Sequence, residues 1–219
     1  HNRVRRQRQM CIRDSGLTIL DRDDFIKPDT SMEILAGLNP SFEMMGSMAF
    51  DDIILSKYNK LEKISHVHTP GNSSGIVDGA SAVLIGSQKA GQDLNLKARG
   101  RIIAGAILAS DPVIMLTGPG PSAKKCLKTA GLKTTDVDLW EINEAFASVP
   151  LRYMNDLEID YSVTNVNGGA IAMGHPLGAT GAVLVSTMLD ELERRDLNIG
   201  MMSLCVGGGM GISCLIERV

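Results

Sequence analysis

Three short segments of this 219-residue chain combine reactive side chains with backbone suited to a binding site. The first is Trp140-Glu141-Ile142-Asn143-Glu144-Ala145-Phe146. It delivers an amide and a carboxylate from an apolar run to the start of a predicted helix. Asn143 has two readings there: an N-cap whose side-chain oxygen accepts an orphan backbone N–H, or a polar group presented to a ligand. The second segment, Asn165 to Gly181, holds five glycines and the triplet Gly174-His175-Pro176. Glycine lets backbone approach a ligand closely and adopt positive φ. An imidazole held on such irregular backbone can act as a base or a donor, or it is a loop histidine satisfied by backbone. The third segment, Leu204-Cys205-Val206-Gly207-Gly208-Gly209-Met210-Gly211, places a thiol against four glycines. Their N–H groups can point at a developing oxyanion, and a thiol of tuned pKa can exchange a proton with substrate.

Several other chemistries are excluded or disfavoured by spacing. No GxxxxGK[ST] phosphate loop is present, and the glycines do not fall as GxGxxG. Cys11, Cys126, Cys205 and Cys214 form no CxxC pair and no disulfide framework. Cys126 lies on the apolar face of a predicted helix, and Cys214 lies mid-strand between Ile212, Leu215 and Ile216. Both read as core packing. His66 and His68, in Ser65-His66-Val67-His68-Thr69-Pro70, read as loop residues rather than metal ligands.

The elements that position these segments alternate between helix and strand, so the class is α/β. Pro121 can open a helix, since its missing N–H costs nothing at the first position. Ala123, Cys126, Leu127 and Ala130 follow at helical spacing, and Gly131 supplies the stop. Leu139–Ile142 is a predicted strand, followed by a helix from Ala145 to Leu157. Ser162–Val166 reads as a strand, and Gly178–Arg195 as a helix with Ala182, Val185, Leu189 and Leu192 inward. Met201–Val206 and Gly211–Glu217 read as two strands of a hairpin. Upstream, Ala82-Val83-Leu84-Ile85 suits a buried strand, Gln88–Ala98 a helix and Arg101–Ala109 another apolar run. Each reactive segment then follows a strand, where open α/β sheets bind ligands.

Composition is that of a globular protein, 44 % apolar and 21 % charged. The net charge of −3 conceals Arg3, Arg5, Arg6, Arg8 and Arg13 at the start. Without those five, 17 basic residues face 25 acidic ones. An acidic body with 4 % aromatic residues argues against a nucleic-acid or anionic-membrane surface. No apolar run approaches the roughly 18 residues that suggest a spanning helix, and no apolar stretch follows the basic start as in a signal peptide. Unpaired cysteines fit a reducing, cytoplasmic setting.

As a set, NEAF (Asn143–Phe146), NVNGGAIAMGHPLGATGA (Asn165–Ala182), CVGGGMG (Cys205–Gly211) and GNSSGIVDGA (Gly71–Ala80) resemble the thiolase family from about Leu17 to Val219. The resemblance implies an α/β, layered αβαβα fold and acyl transfer between coenzyme A thioesters: thiolytic cleavage of 3-ketoacyl-CoA, or the reverse Claisen condensation. It implies that His175 activates a nucleophilic cysteine and helps form one oxyanion hole, completed by a water on Asn143. Cys205 would move the α-proton, Gly207 would donate its N–H to a second oxyanion hole, and Ser74 would contact the pantetheine arm. Lys27 loosely matches a basic residue near the nucleotide end of CoA. No cofactor or metal is implied beyond the acyl-CoA substrates, and the family forms homodimers or homotetramers. The wording leans toward the degradative, β-oxidation members rather than the acetoacetyl-forming ones.

Thiolases are roughly twice as long as this chain, and their nucleophilic cysteine lies in a Cys-Ser-Gly-rich segment of the first half. None of the four cysteines here sits in such a segment. Cys11 lies in an Arg-rich stretch expected to lack strand and helix face, and is rejected as the nucleophile. The sequence therefore reads as residues 1–15 a non-native tail (or else a natural basic one), 16–68 the end of a loop subdomain, 69–110 the end of the N-terminal domain and 111–219 the C-terminal domain, without activity alone. A ketoacyl carrier-protein synthase would use two histidines, and the Asn143 and Cys205 segments speak against it. A non-catalytic CoA-binding module is the alternative from another class.

Overall fold

The computed structural model describes residues 11–12, 18–20 and 23–219. Cys11–Ile12 (β1) pairs antiparallel with Thr18–Leu20 (β2), so the stretch around Cys11 does contain a strand, contrary to expectation. The rest of the basic start lies outside the described residues. Short helices follow: Met32–Ala36 (α1), Glu43–Met45 (α2) and Asp51–Lys57 (α3). Lys57 and Tyr58 both bond the Asp111 carboxylate, and with Lys57 the larger cause they hold it at about 2.

The main sheet has four strands in the order β3-β6-β5-β4: Gly100–Ala109 (β3), Leu139–Ile142 (β4), Ile199–Val206 (β5) and Met210–Arg218 (β6). β6 pairs antiparallel with both β3 and β5, while β4 runs parallel to β5. A parallel pair needs a crossover. Here it is supplied by Ser148–Leu157 (α6), Ala170–Met173 (α7) and Thr180–Arg195 (α8). The class is α/β as expected. Gly100–Ala109, read from sequence as belonging before position 110, is hydrogen-bonded into the same sheet as the later strands.

Helices cover both faces. Pro119–Ala130 (α5) and α6 bury Ala123, Cys126, Leu127, Val149 and Tyr153 against Trp140, Ile142 and Met201. On the other face α8 buries Leu184, Met188 and Leu192 against Leu139, Met202 and Ile216. The inward stripe of α8 is thus centred on i, i+4, i+8 from Leu184, with Val185 and Leu189 at its margin rather than its centre. α5 begins two residues earlier than predicted, with Pro119 taking the first-turn role expected of Pro121. Its stop is as read: Gly131 has φ 71° and its N–H caps the Leu127 and Lys128 carbonyls.

Hydroxyls cross the α5–α6 face as one chain. Tyr153 Oη is 2.9 Å from Ser203 Oγ, Ser203 Oγ 2.8 Å from Ser213 Oγ, and Ser213 Oγ 2.6 Å from Ser122 Oγ. Ser122 donates to Pro119 O at 2.9 Å, which fixes the direction: each hydroxyl upstream donates to the next. Burial keeps the Tyr153 phenol well above its usual range.

The start of α5 meets β6 with no room for side chains. A Cβ on Gly211 would stand 2.2 Å from the backbone carbon of Gly118, whereas a Cβ on Gly131 meets nothing within 4 Å. Gly211→Ala is expected to cost about 1–3 kcal/mol, as overpacking does when the obstacle is backbone. Gly131→Ala should cost about 1 kcal/mol, for the left-handed φ alone. Urea unfolding of the two variants checks the order.

Four further expectations fail. Ala82–Ile85 forms no strand, and Leu84 and Ile85 are exposed, because no sheet edge among the described residues pairs with them. Ser162–Val166 holds a 3-10 turn, Tyr161–Val163, followed only by isolated parallel bridges, Thr164 with Trp140 and Val166 with Gly168. The helix predicted from Ala145 begins at Ser148, and that from Gln88 stops at Asp93 (Gln88–Asp93, α4). No described helix is long and apolar enough to cross a membrane.

Candidate active site

β4 and β5 run parallel and end at the same edge of the sheet, with Ile142 opposite Ser203. Asn143 is the next residue. Its N–H donates to Ser203 O at 3.0 Å, so it extends the strand by one position. It is not a cap: α6 starts five residues later behind Ala147. Asn143 is 2 % exposed, and neither Nδ2 nor Oδ1 has a hydrogen-bond partner among the described residues. Leaving both ends of a buried amide unpaired costs stability. Both ends of the amide are therefore free to take a water or ligand.

Cys205 stands two residues beyond Ser203 on β5, opposite Gly211. Here β4 has already ended, so only β6 flanks it. The thiol is partly buried against the α5–α6 core, and burial pushes its pKa up, leaving it protonated at neutral pH. Gly207–Gly209 form the turn to β6, with φ 80° at Gly208 and 86° at Gly209. Ser110 pins this turn, its N–H and Oγ each donating to Gly209 O at 2.7 Å. Gly207, at the mouth of the turn, is exposed.

His175 is half-buried. Its N–H donates to Gly75 O at 2.8 Å, and Gly174 before it has φ 85° with Val77 packed where a Cβ would be. Nδ1 lies 2.6 Å from Thr180 Oγ1, which itself donates to Pro176 O at 3.0 Å. Thr180 has one proton and has placed it, so Nδ1–H is the donor and Nε2 keeps its lone pair. Burial lowers the imidazole pKa, which favours that neutral ring. A base of this kind is lost only when protonated. The acid limb of any His175-dependent activity is therefore expected below about pH 6.5, the ordinary histidine value. A pH–rate profile with its acid midpoint at 7 or above would contradict this.

Residues Asn72–Gly75 join the two parts. Ser74 donates its N–H at 2.9 Å and its Oγ at 3.2 Å to Ala145 O, Ala147 N–H donates to Asn72 O at 2.9 Å, and Gly75 O receives the His175 N–H. The structure thus sets Asn143 beside the β5 end that bears Cys205, and ties His175 to the Asn143 segment through Ser74 and Gly75. Beside His175 a cleft of about 370 Å³ opens between Val77–Ser81 and Pro176–Ala179. Lys27 Nζ lies 6.0 Å from the Phe25 ring centroid, and that ring packs on Gly75. His68 bonds Ser148 Oγ at 2.9 Å and stacks edge-on with Phe42 and Phe146, while His66 bonds Asp51 at 3.0 Å. Both are loop residues in structural roles. Among the described residues no cluster of three or more His, Cys, Asp or Glu could hold a metal ion.

Sequence reasoning missed Asn165, Glu144 and Thr180 as site residues. Their partners lie 23, 27 and 5 positions away, and only Thr180, five residues after His175, left a local signal.

The other cysteines differ in setting. Cys126 is fully buried and its thiol is pushed up to about 11 by burial. Cys214 is partly buried and flanked on both sides, by Gly105 of β3 and Met202 of β5, and burial raises it too. Burial alone does not separate Cys205 from Cys214. Position does, since Cys205 has a strand on one side only. Mass-spectrometric alkylation of the folded protein should label Cys205 first, Cys214 later and Cys126 last.

Residues 96–218 match the family model for the thiolase C-terminal domain. The chain is 41 % identical over 209 residues to a 3-ketoacyl-CoA thiolase of Serratia proteamaculans, covering 94 % of this chain and 49 % of that one. It is 40 % identical over 201 residues to an acetyl-CoA acetyltransferase of Allochromatium vinosum, covering 92 % and 46 %. Among solved structures it is similar to the Bacillus anthracis acetyl-CoA acetyltransferase (TM-score 0.78, 34 % identity, 94 % of this chain and 47 % of that one). It is also similar to human mitochondrial 3-ketoacyl-CoA thiolase in complex with CoA (TM-score 0.78, 39 % identity, 91 % and 46 %). The chain spans about half the length of each.

Proposed function

This chain belongs to the thiolase family, and on that premise we propose that it supplies the acid/base and oxyanion-binding groups of an enzyme that transfers acyl groups between coenzyme A thioesters. The observation that carries the proposal is Asn143: a buried amide without a partner among the described residues, at the strand edge where Cys205 stands and hydrogen-bonded backbone leads to His175.

In the thiolytic direction the nucleophilic cysteine of the whole enzyme attacks the ketone carbon of 3-ketoacyl-CoA. As the carbon–carbon bond breaks, the electron pair passes to the departing acetyl-CoA as an enolate. Cys205, protonated at rest, gives its proton to that α-carbon. The resulting thiolate takes the proton of an incoming CoA thiol, which attacks the acyl-enzyme. Nε2 of His175, whose lone pair takes the thiol proton of the nucleophilic cysteine, then donates a hydrogen bond, together with a water on Asn143, to the thioester oxygen as charge develops. The Gly207 N–H serves the second oxyanion. Ser74 and the Val77–Ala179 cleft receive the pantetheine arm, with Lys27 toward the nucleotide end. In this reading residues 111–219, with β3 completing their sheet, form the C-terminal domain. The substrates are acyl-CoAs of β-oxidation, and the whole enzyme is a cytoplasmic homo-oligomer.

None of the four cysteines lies in a nucleophile segment of the family type. The 219 residues alone should give no thiolysis of acetoacetyl-CoA, but a measurable uptake of deuterium from D2O into acetyl-CoA, since that step needs only Cys205 and its oxyanion hole. Thiolysis by residues 16–219, or absence of deuterium uptake by folded chain, would contradict the assignment.

A further inference from the structure

We propose that Asn165 and Glu144 are positioning residues that lock the Asn143 strand end and the His175 loop into one rigid unit. The inference rests on the functional reading above for what the unit does, and on geometry alone for its existence.

Asn165 adopts φ 46°, a left-handed conformation unusual outside glycine. Its backbone N–H donates to Trp140 O at 2.8 Å. Its side chain then takes the place of a further strand residue beside β4: Oδ1 accepts the Ile142 N–H at 2.8 Å, and Nδ2 donates to Ile142 O at 2.9 Å. Ile142 is the residue immediately before Asn143. The same Nδ2 donates to Glu144 Oε1 at 2.8 Å. One side chain thus grips the backbone before Asn143 and the carboxylate after it.

Glu144 carries the grip onward. Its Oε2 accepts the Ile171 N–H at 3.2 Å, in the first turn of α7, two residues before α7 ends at Met173 and four before His175. The fit leaves no slack: a Cβ on Gly169 would stand 2.2 Å from the Glu144 carboxyl carbon. At its far end α7 passes through Gly174, packed on Val77, into His175. Movement of α7 therefore moves the imidazole relative to Asn143. A carboxylate with two donors holds both loops, whereas a neutral amide in its place accepts from one donor only. Groups that share an oxyanion must be held within a fraction of an ångström, and a misplacement of about 1 Å costs on the order of 10²-fold.

The test compares Glu144→Ala, Glu144→Gln and wild type in the full chain by three readouts. The first is hydrogen exchange at the Ile171 amide, the second the ¹⁵N resonances of the His175 ring, and the third kcat and KM for deuterium uptake into acetyl-CoA. Expected are loss of Ile171 protection, a shifted His175 signal, and kcat lower by about 10–100-fold in Glu144→Ala, with KM within about twofold and Glu144→Gln between. A folded Glu144→Ala with wild-type Ile171 protection and His175 signals would overturn the inference. So would a freed Ile171 with unchanged kcat. Should wild type itself fail to exchange, the functional reading falls, and the Ile171 and His175 readouts still decide whether the unit exists. Asn165→Asp, which keeps the acceptor for Ile142 N–H but loses the Nδ2 donor, is expected to reproduce the Glu144→Ala pattern.

Discussion

Cys205→Ala is expected to lower α-proton exchange in acetyl-CoA by about 10²–10⁴-fold, the usual contribution of a positioned general acid or base. Exchange needs the Cys205 thiolate to take the α-proton and the thiol, re-equilibrated with D2O, to return deuterium. Burial favours the thiol, so the resting state of Cys205 serves the return step directly. Its place beyond the end of β4 leaves one flank open to substrate. Cys205→Ser should recover little, because a hydroxyl is a far weaker acid than a thiol. Both variants should melt within a few degrees of wild type, as Cys205 lies at the margin of the core and not within it. Cys214→Ala removes a thiol of similar burial without touching exchange, and serves as the matched control. Equal loss in Cys205→Ala and Cys214→Ala, read by mass-spectrometric deuterium uptake, would show that the effect is structural.

Asn143→Ala should separate activity from stability more sharply. Exchange falls by about 10²–10³-fold, the effect of removing one oxyanion-hole contact. Stability should hold or rise, because the variant removes a buried amide that has no partner among the described residues. Most buried asparagines behave oppositely. Asn165, with five hydrogen bonds from its backbone and side chain, is the internal comparison and should lose stability on the same substitution. A destabilised Asn143→Ala with intact exchange would reverse the assignment. Thermal melts beside exchange rates decide it.

Where a residue's role is set by its neighbours in sequence, the chain is readable. The α5 stripe of Ala123, Cys126 and Leu127, its Gly131 stop, the β4 strand and the β5–β6 hairpin all follow from local period and turn chemistry. The glycine-rich segments are readable for the same reason, since Gly174, Gly208 and Gly209 hold positive φ. Reading fails where tertiary partners decide. Asn143 looks like a cap because Asn before a helix usually is one. It becomes an extension of β4 because Ser203 on β5 takes its N–H. Ser162–Val166 carries strand residues, yet Asn165 turns into left-handed backbone and pairs by side chain instead. Ala82–Ile85 encodes burial that the described residues do not supply. The Glu144 bridge was unreadable, as its donors lie 21 and 27 positions away.

The most direct measurement is a crystal structure of the chain with acetyl-CoA bound. The account predicts the thioester oxygen within hydrogen-bond reach of a water held by Asn143 and of His175 Nε2 in its protonated form. The methyl carbon should lie about 3–3.5 Å from Cys205 Sγ, a near-attack distance, with the pantetheine arm along Ser74. Density for acetyl-CoA elsewhere, or with its methyl carbon more than about 10 Å from Cys205 and so beyond any single proton transfer, would contradict it.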